Sequence, residues 1–212
     1  MSSKKEFTKG TIFLFALFLF FLAFVFIIQS PAKKTIPKDL IAVLRPHAIP
    51  LKPFTLINKN EEAFTNKDLS GKWSFIFFGY TYCPDICPTT LMTLKQINNT
   101  LKKYPNVASD FQVVFVSIDP ERDKPKKLVE YIKYFNKEFI AVTGRDDNLV
   151  KFSRQFSAAY IKEASDTPEN YLMSHTSSIF LVTPKMNIVA SFSPPHSAET
   201  ITSQYIKIHE MF

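Results

Sequence analysis

The chain has 212 residues, 46% of them apolar and 21% charged, enough for one well-packed domain plus an appendage. A formal net charge of +7 would suit nucleic acid, but the lysines are scattered along helix faces, which argues against that partner and leaves an acidic protein or none. Two cysteines in the whole chain exclude a disulfide-stapled scaffold.

Residues 11–28 run TIFLFALFLFFLAFVFII, and no charge falls between Lys9 and Lys33. As a helix, such a window crosses ~30 Å of hydrocarbon. The run is longer than an ordinary signal core, and Ser30-Pro31-Ala32, the small-residue cleavage candidate, is spoiled by its proline. An uncleaved, single-pass signal anchor over residues 11–30 is therefore expected. Lys4, Lys5 and Lys9 precede it and Lys33, Lys34 and Lys38 follow it, so charge bias decides little about orientation. A short tail, residues 1–10, is expected to stay inside and the large domain to go out. No long Arg- and Ser-rich presequence precedes the anchor, which argues against mitochondrial import. The expected location is a bacterial cytoplasmic membrane, with the soluble domain on its periplasmic or extracytoplasmic side. Residues 31–50 form a spacer in this scheme. Pro31, Pro37, Pro46 and Pro50, with Pro53 just beyond, are expected to prevent helix and sheet and to favour an extended chain at ~3.1 Å per residue.

Residues 51–212 carry globular patterning. Trp73–Tyr80 is a continuous apolar, aromatic-rich run, which predicts a strand buried on both faces. Leu91, Leu94, Ile97 and Leu101 recur at helical spacing, predicting a helix over 86–103. Phe111–Ile118 predicts a second buried strand, and 125–137 a helix with Pro125 in its first turn. Phe139–Thr143 predicts a short strand stopped by Gly144, with Asp146 or Asp147 capping the next helix. Ile179–Thr183 and Asn187–Phe192 predict strands around a Pro-Lys-Met turn, and Ser197 with Glu199 opens a closing helix to about Met211. This order is that of an α/β sandwich with a central, partly parallel sheet.

The first long strand ends on Gly79-Tyr-Thr-Tyr-Cys83-Pro-Asp-Ile-Cys87-Pro88. The cysteines thus fall at the carboxyl edge of a parallel strand and the amino end of a helix, where unpaired N–H groups favour a thiolate. In a near-helical segment the four-residue step puts both sulfurs on one face, able to close a disulfide or to grip one soft metal ion. Pro84 and Pro88 stiffen the turn. Soft sulfur selects Cu(I) or zinc, and imidazole suits copper as well. His175, just before the strand Ile179–Thr183, is the best-placed nitrogen. His47, His196 and His209 are taken as structural or solvated, and Met173 as a packed side chain rather than a ligand. The loop Ser117-Ile-Asp119-Pro-Glu-Arg-Asp123 is taken as a polar turn in which Asp123 caps the helix at Pro125, with a wall beside the cysteines as the functional alternative.

These residues resemble the Sco/SenC family of copper-handling thioredoxin-fold proteins, which assist assembly of the dinuclear copper centre of respiratory oxidases. The similarity covers about residues 51–210. It rests on Asp68 to Lys72, on Phe78 to Thr89 around the cysteines, on Val116 to Asp123, and on Tyr171 to Phe180 around His175. The resemblance implies a thioredoxin-like α/β fold, with a central mixed sheet flanked by helices and one N-terminal transmembrane helix. It further implies Cys83, Cys87 and His175 as ligands of copper, Cu(I) or Cu(II), with Cys83 and Cys87 also forming a redox-active disulfide. The implied partner is the oxidase subunit carrying the dinuclear copper site, with other copper chaperones or thiol reductants beside it. The family usually has an acidic residue before the histidine, where Ser174 stands here. Two functions fit: a copper chaperone, or a thiol–disulfide oxidoreductase acting on oxidase cysteines or other exported proteins. The three-residue gap between the cysteines, and the absence of a proline before the facing strand, favour the chaperone.

Overall fold

The computed structural model describes residues 13–22, 24–25, 36–165 and 170–212. The chain divides into two units, Met1–Pro37 and Lys38–Phe212. In the first, residues 13–22 and 24–25 are helical, and their apolar side chains are almost all exposed. Among the described residues no helix is long and apolar enough to cross a membrane, and much of the 11–30 stretch lies outside them.

The second unit is built on a six-stranded mixed sheet. Its strands are β1 (Leu44–Pro50), β4 (Trp73–Gly79), β5 (Phe111–Ser117), β6 (Ile140–Val142), β9 (Ile179–Val182) and β10 (Asn187–Phe192), in spatial order β1-β10-β9-β4-β5-β6. The pairs β4–β5 and β5–β6 are parallel, and β9 and β10 join antiparallel. Every residue of β4 is buried, because both faces of the sheet are covered. On one face Phe75 meets the rings of Phe111, Phe192 and Tyr205. On the other, Phe78 meets Phe152, Phe156 and Phe180. This two-sided packing absorbs many of the phenylalanines outside the N-terminal run.

Two small hairpins stand outside that sheet: β2 (Thr55–Ile57) with β3 (Ala63–Thr65), and β7 (Tyr160–Lys162) with β8 (Met173–His175). The helices are α1 (Asn66–Leu69), α2 (Ile86–Leu101), α3 (Pro105–Ala108), α4 (Pro125–Phe135), α5 (Asp146–Gln155) and α6 (Ala198–Met211). Helix α2 touches both α4 and α6, while α5 lies against β2. As expected, Ser197 caps α6, its hydroxyl accepting from the Thr200 N–H.

Three local expectations need correction. Residues 44–50 are not a spacer devoid of sheet; they form β1, paired with β10 through Leu44↔Ala190 and Ile49↔Ile188. Pro46 and Pro50 are tolerated because β1 is an edge strand with an irregular register, where a missing N–H breaks no interior ladder. Arg45 ties the strand down further by donating to the Phe156 carbonyl at 2.6 Å. The compact unit therefore begins near Lys38 rather than Leu51, and Leu40 is fully buried in the core. Asp146 and Asp147 sit in the first turn of α5, where they favour the helix dipole; the cap is Arg145, with no side-chain bond. Asp123 caps nothing either, since Lys124 is the N-cap of α4.

If residues 38–50 belong to the fold, Leu40→Ala leaves a cavity and costs about 2–5 kcal/mol. Chemical denaturation of the variant checks this; a loss below about 0.5 kcal/mol would be that of an exposed surface position and would return Leu40 to a spacer.

Candidate metal centre

The parallel pairing of β4 with β5 runs in unbroken register from Trp73↔Phe111 to Gly79↔Ser117. Both strands therefore release their chains at one edge: β4 into the cysteine turn, β5 into the 117–123 loop. Strand β9 runs antiparallel to β4, with Phe77 opposite Ile179, so the residues just before Ile179 arrive at the same edge. His175 is among them.

Cys83 lies in the turn and Cys87 in the first turn of α2. The Cys87 N–H donates to Cys83 Sγ at 3.4 Å, so the helix amino end is aimed at that sulfur. His175 Nε2 lies 3.5 Å from Cys87 Sγ. The two sulfurs and an imidazole nitrogen all fall within 4.8 Å of one another. Both cysteines are free thiols, Cys87 with no exposure and Cys83 with 8%. Gly79 makes this closeness possible: a Cβ there would stand 2.8 Å from Cys87 Sγ and 2.8 Å from the Phe115 ring. No residue with a side chain fits that position without moving the sulfur.

The environment divides the two thiols. The Cys87 thiol donates towards Cys83, which with further hydrogen bonds from His175 and the Cys87 backbone lowers the Cys83 pKa to about 4, against the opposing effect of burial. Cys87 moves the other way: its bond to Cys83, its burial and the negative charge of Cys83 push it far above the ordinary thiol range. His175 is oriented by its other nitrogen, Nδ1, which lies 3.1 Å from the Thr176 carbonyl oxygen. An acceptor there keeps a proton on Nδ1. Nε2 then faces the sulfurs, an N–H donor to a thiolate when protonated and a free lone pair when not. Phe77 and Tyr80 meet the imidazole edge-on, with ring centroids 6.2 Å and 6.0 Å away.

All three residues singled out from the sequence therefore converge. The remaining histidines do not join them. His47 is exposed on β1. His196 bridges Thr90 Oγ1 and the Phe192 carbonyl oxygen, and burial lowers its pKa. His209 packs against Trp73 and Tyr205. Met173 is half-buried against the core. Ser174 is exposed between two half-buried neighbours on β8, and strand alternation turns it away from the imidazole. An acidic side chain there would face solvent rather than the sulfurs.

The 117–123 loop is a wall of the site rather than a free polar turn. Asp123 is fully buried, and its carboxylate accepts from the Thr81 N–H at 2.8 Å, the Thr81 hydroxyl, the Ser117 hydroxyl at 2.7 Å and Lys127 Nζ at 3.3 Å. It thereby ties the cysteine turn to the end of β5. Sequence reasoning missed this role, because Thr81 and Asp123 are 42 residues apart and nothing local pairs them.

A model of the family described as SCO1/SenC matches residues 44–210. The protein described as SCO1 homolog 1, mitochondrial, of Arabidopsis thaliana is 34% identical over 155 residues, covering 73% of this chain and 46% of that protein. An SCO2-like protein of Rickettsia felis is 38% identical over 130 residues, covering 61% of this chain and 62% of its own. The chain thus spans about half to three-fifths of the length of these curated relatives. Among solved structures, Arabidopsis thaliana ScoI with copper bound aligns with a TM-score of 0.71 at 34% identity, covering 78% of this chain and all of that one. Yeast Sco1 with copper bound aligns with a TM-score of 0.71 at 28% identity, covering 78% and 91%. The mixed sheet with flanking helices is thus the thioredoxin-like fold of those structures.

The asymmetry of the thiols sets an expected reactivity. In the reduced protein without metal, alkylation of Cys83 should stay nearly constant from pH 8 down to about pH 5, where a free thiol of pKa ≈ 8.5 slows about tenfold per unit. Mass-spectrometric mapping should find Cys87 largely unmodified. A Cys83 rate that titrates near pH 8–9, or equal labelling of both residues, would contradict the assigned roles.

Proposed function

The chain belongs to the SCO1/SenC family, and from that premise we propose that it carries copper as cargo on Cys83, Cys87 and His175 and delivers it during assembly of the dinuclear copper centre of a respiratory cytochrome oxidase. The observation that carries this is the donor set: two sulfurs and one imidazole nitrogen within 4.8 Å, enclosed by aromatic rings. Two soft sulfurs suit Cu(I), and adding a nitrogen suits Cu(II) as well. Relatives solved with copper bound support the choice of ion. The partner is the oxidase subunit that bears the copper site, with other copper chaperones or thiol reductants as further partners.

Each residue has a distinct task. Cys83, held as a thiolate, meets the incoming ion first. Cys87 gives up its proton to become the second sulfur ligand, and the positive ion offsets the burial that otherwise keeps that thiol protonated. His175 presents Nε2, with Nδ1 held at the Thr176 carbonyl. The proposal includes the anchor. Residues 11–30 would hold the domain at the outer face of a bacterial cytoplasmic membrane, with residues 1–10 inside.

One observation favours a second reading, thiol–disulfide exchange: a low-pKa thiolate at Cys83 with a second sulfur within reach. In that reaction Cys83 attacks a partner disulfide and releases one partner sulfur as thiolate. Cys87 then loses its proton and displaces the other, leaving a Cys83–Cys87 disulfide and two partner thiols. Here His175 is incidental.

His175→Ala separates the two. The variant is expected to retain Cu(I) on two sulfurs, to lose Cu(II) and to fail in oxidase assembly, while still cycling between dithiol and disulfide. Oxidising the wild type to the disulfide should abolish tight Cu(I) binding. Normal oxidase assembly by His175→Ala favours thiol exchange, and equal Cu(I) affinity before and after oxidation rules out the sulfurs as ligands. Metal titration with direct identification of the bound ion, alongside an oxidase activity assay in cells, reads all of these.

A further inference from the structure

Two separate segments deliver the donor atoms: the cysteine turn, and the β7–β8 hairpin ending at His175. After His175 only three residues intervene before β9, so that side is fixed by the central sheet. Before His175 the hairpin is a two-stranded sheet of its own, three residues per strand, with Ile161 and Leu172 exposed. Tyr160, Tyr171 and Met173 pack inward, and polar contacts from the 117–123 loop and the cysteine turn add to that hold.

Arg122 is the side chain that lies against both segments. Its guanidinium sits 3.4 Å from the ring centroid of Tyr171, two residues before β8 at the loop end of the hairpin, and 4.6 Å from that of Tyr82, the residue before Cys83. Its Nη1 donates to the Tyr171 carbonyl at 2.9 Å, and its Nε to Asp119 Oδ2 at 2.6 Å. The Tyr171 hydroxyl closes the triangle by donating to Asp119 Oδ1 at 2.6 Å. Burial and the Asp119 carboxylate hold that phenol above its ordinary pKa, so it remains a donor. A parallel tie runs from the Met173 N–H to the Tyr80 hydroxyl at 3.2 Å. Asp119 is itself buried, so the guanidinium is seated on a fixed base.

We propose that Arg122 is a positioning residue that sets the spacing between the two sulfurs and the imidazole, and so decides whether nitrogen joins sulfur in holding the metal. A guanidinium does this because it is planar: it stacks on rings while its edge donates in two directions at once. A lysine at 122 keeps the charge but offers no such fork. The inference rests on the copper reading of the site, and it bears on Cu(II) far more than on Cu(I), which two sulfurs suffice to hold.

The test uses the full chain as wild type, Arg122→Gln, Arg122→Lys and His175→Ala. Three quantities are read: Cu(II) affinity with the nitrogen hyperfine pattern in its paramagnetic spectrum, Cu(I) affinity by competition, and amide exchange over Met173–His175 in the reduced, metal-free protein. Arg122→Gln is expected to lose about 10- to 100-fold in Cu(II) affinity, the usual range for groups that orient a ligand. Its nitrogen signal should weaken and its Cu(I) affinity stay near wild type, while exchange at the hairpin quickens. Arg122→Lys should resemble the Gln variant. Should Arg122→Gln not fold, Tyr171→Phe removes the hydroxyl's bonds to Asp119 and Glu121 while leaving Arg122 in place, and is expected to give the same pattern at smaller size.

A wild-type Cu(II) signal in Arg122→Gln overturns the proposal, as does equal loss of both ions or unchanged hairpin exchange. A wild type that binds neither ion sinks the copper reading instead, and the exchange measurement then judges the clamp without metal.

Discussion

The seven-residue parallel ladder between β4 and β5 is the constraint on which the site depends. It brings the carboxyl ends of two buried strands side by side, and the antiparallel β9 adds its amino end to the same edge. A slip of one residue would exchange the faces of Phe75 and Phe77 with those of Ile76 and Phe78, turning the three phenylalanines away from their ring partners. The register is thereby pinned by the core, and the core in turn fixes where the cysteine turn begins. Gly79 is the last rung of that ladder. The chain passes from packing to chemistry at one residue, and only a glycine leaves room for the Cys87 sulfur.

Beneath the thiols lies a layer of buried carboxylates. Asp119 and Asp123 would be costly there unpaired, but each accepts several hydrogen bonds and faces a cation, Arg122 or Lys127. Asp123 adds to the electrostatic pressure that keeps Cys87 protonated, while the helix amino end and the Cys87 thiol favour charge on Cys83. Two chemically identical side chains four positions apart thus acquire opposite characters, and the difference comes wholly from their surroundings.

Much of this was legible in the chain. The long buried strands announce themselves by unbroken apolar runs at 73–80 and 111–118, and α2 by its leucines and isoleucines at helical spacing. The grouping of Cys83, Cys87 and His175 was legible because a proline-flanked cysteine pair follows directly on a buried strand and resembles a known motif. Long-range ties were not. Strand β1 was hidden because Pro46 and Pro50 argue against sheet unless the strand is known to be an edge. Arg122 looked like one charge among several in a polar turn, since its aromatic partners lie at positions 82 and 171. Asp123, placed just before a helix, resembled a cap, although its acceptors are committed to Thr81 and Ser117.

The unequal burial of the two sulfurs has a further consequence. Cys87 is sealed behind Gly79, Phe115 and the first turn of α2, whereas Cys83 and His175 form the outer rim. A thiol from another protein can approach the cluster only across that rim, so it meets Cys83 and His175 before the Cys87 sulfur. Under the proposed copper cargo, handover would then be ordered in time, with Cys83 and His175 displaced before Cys87.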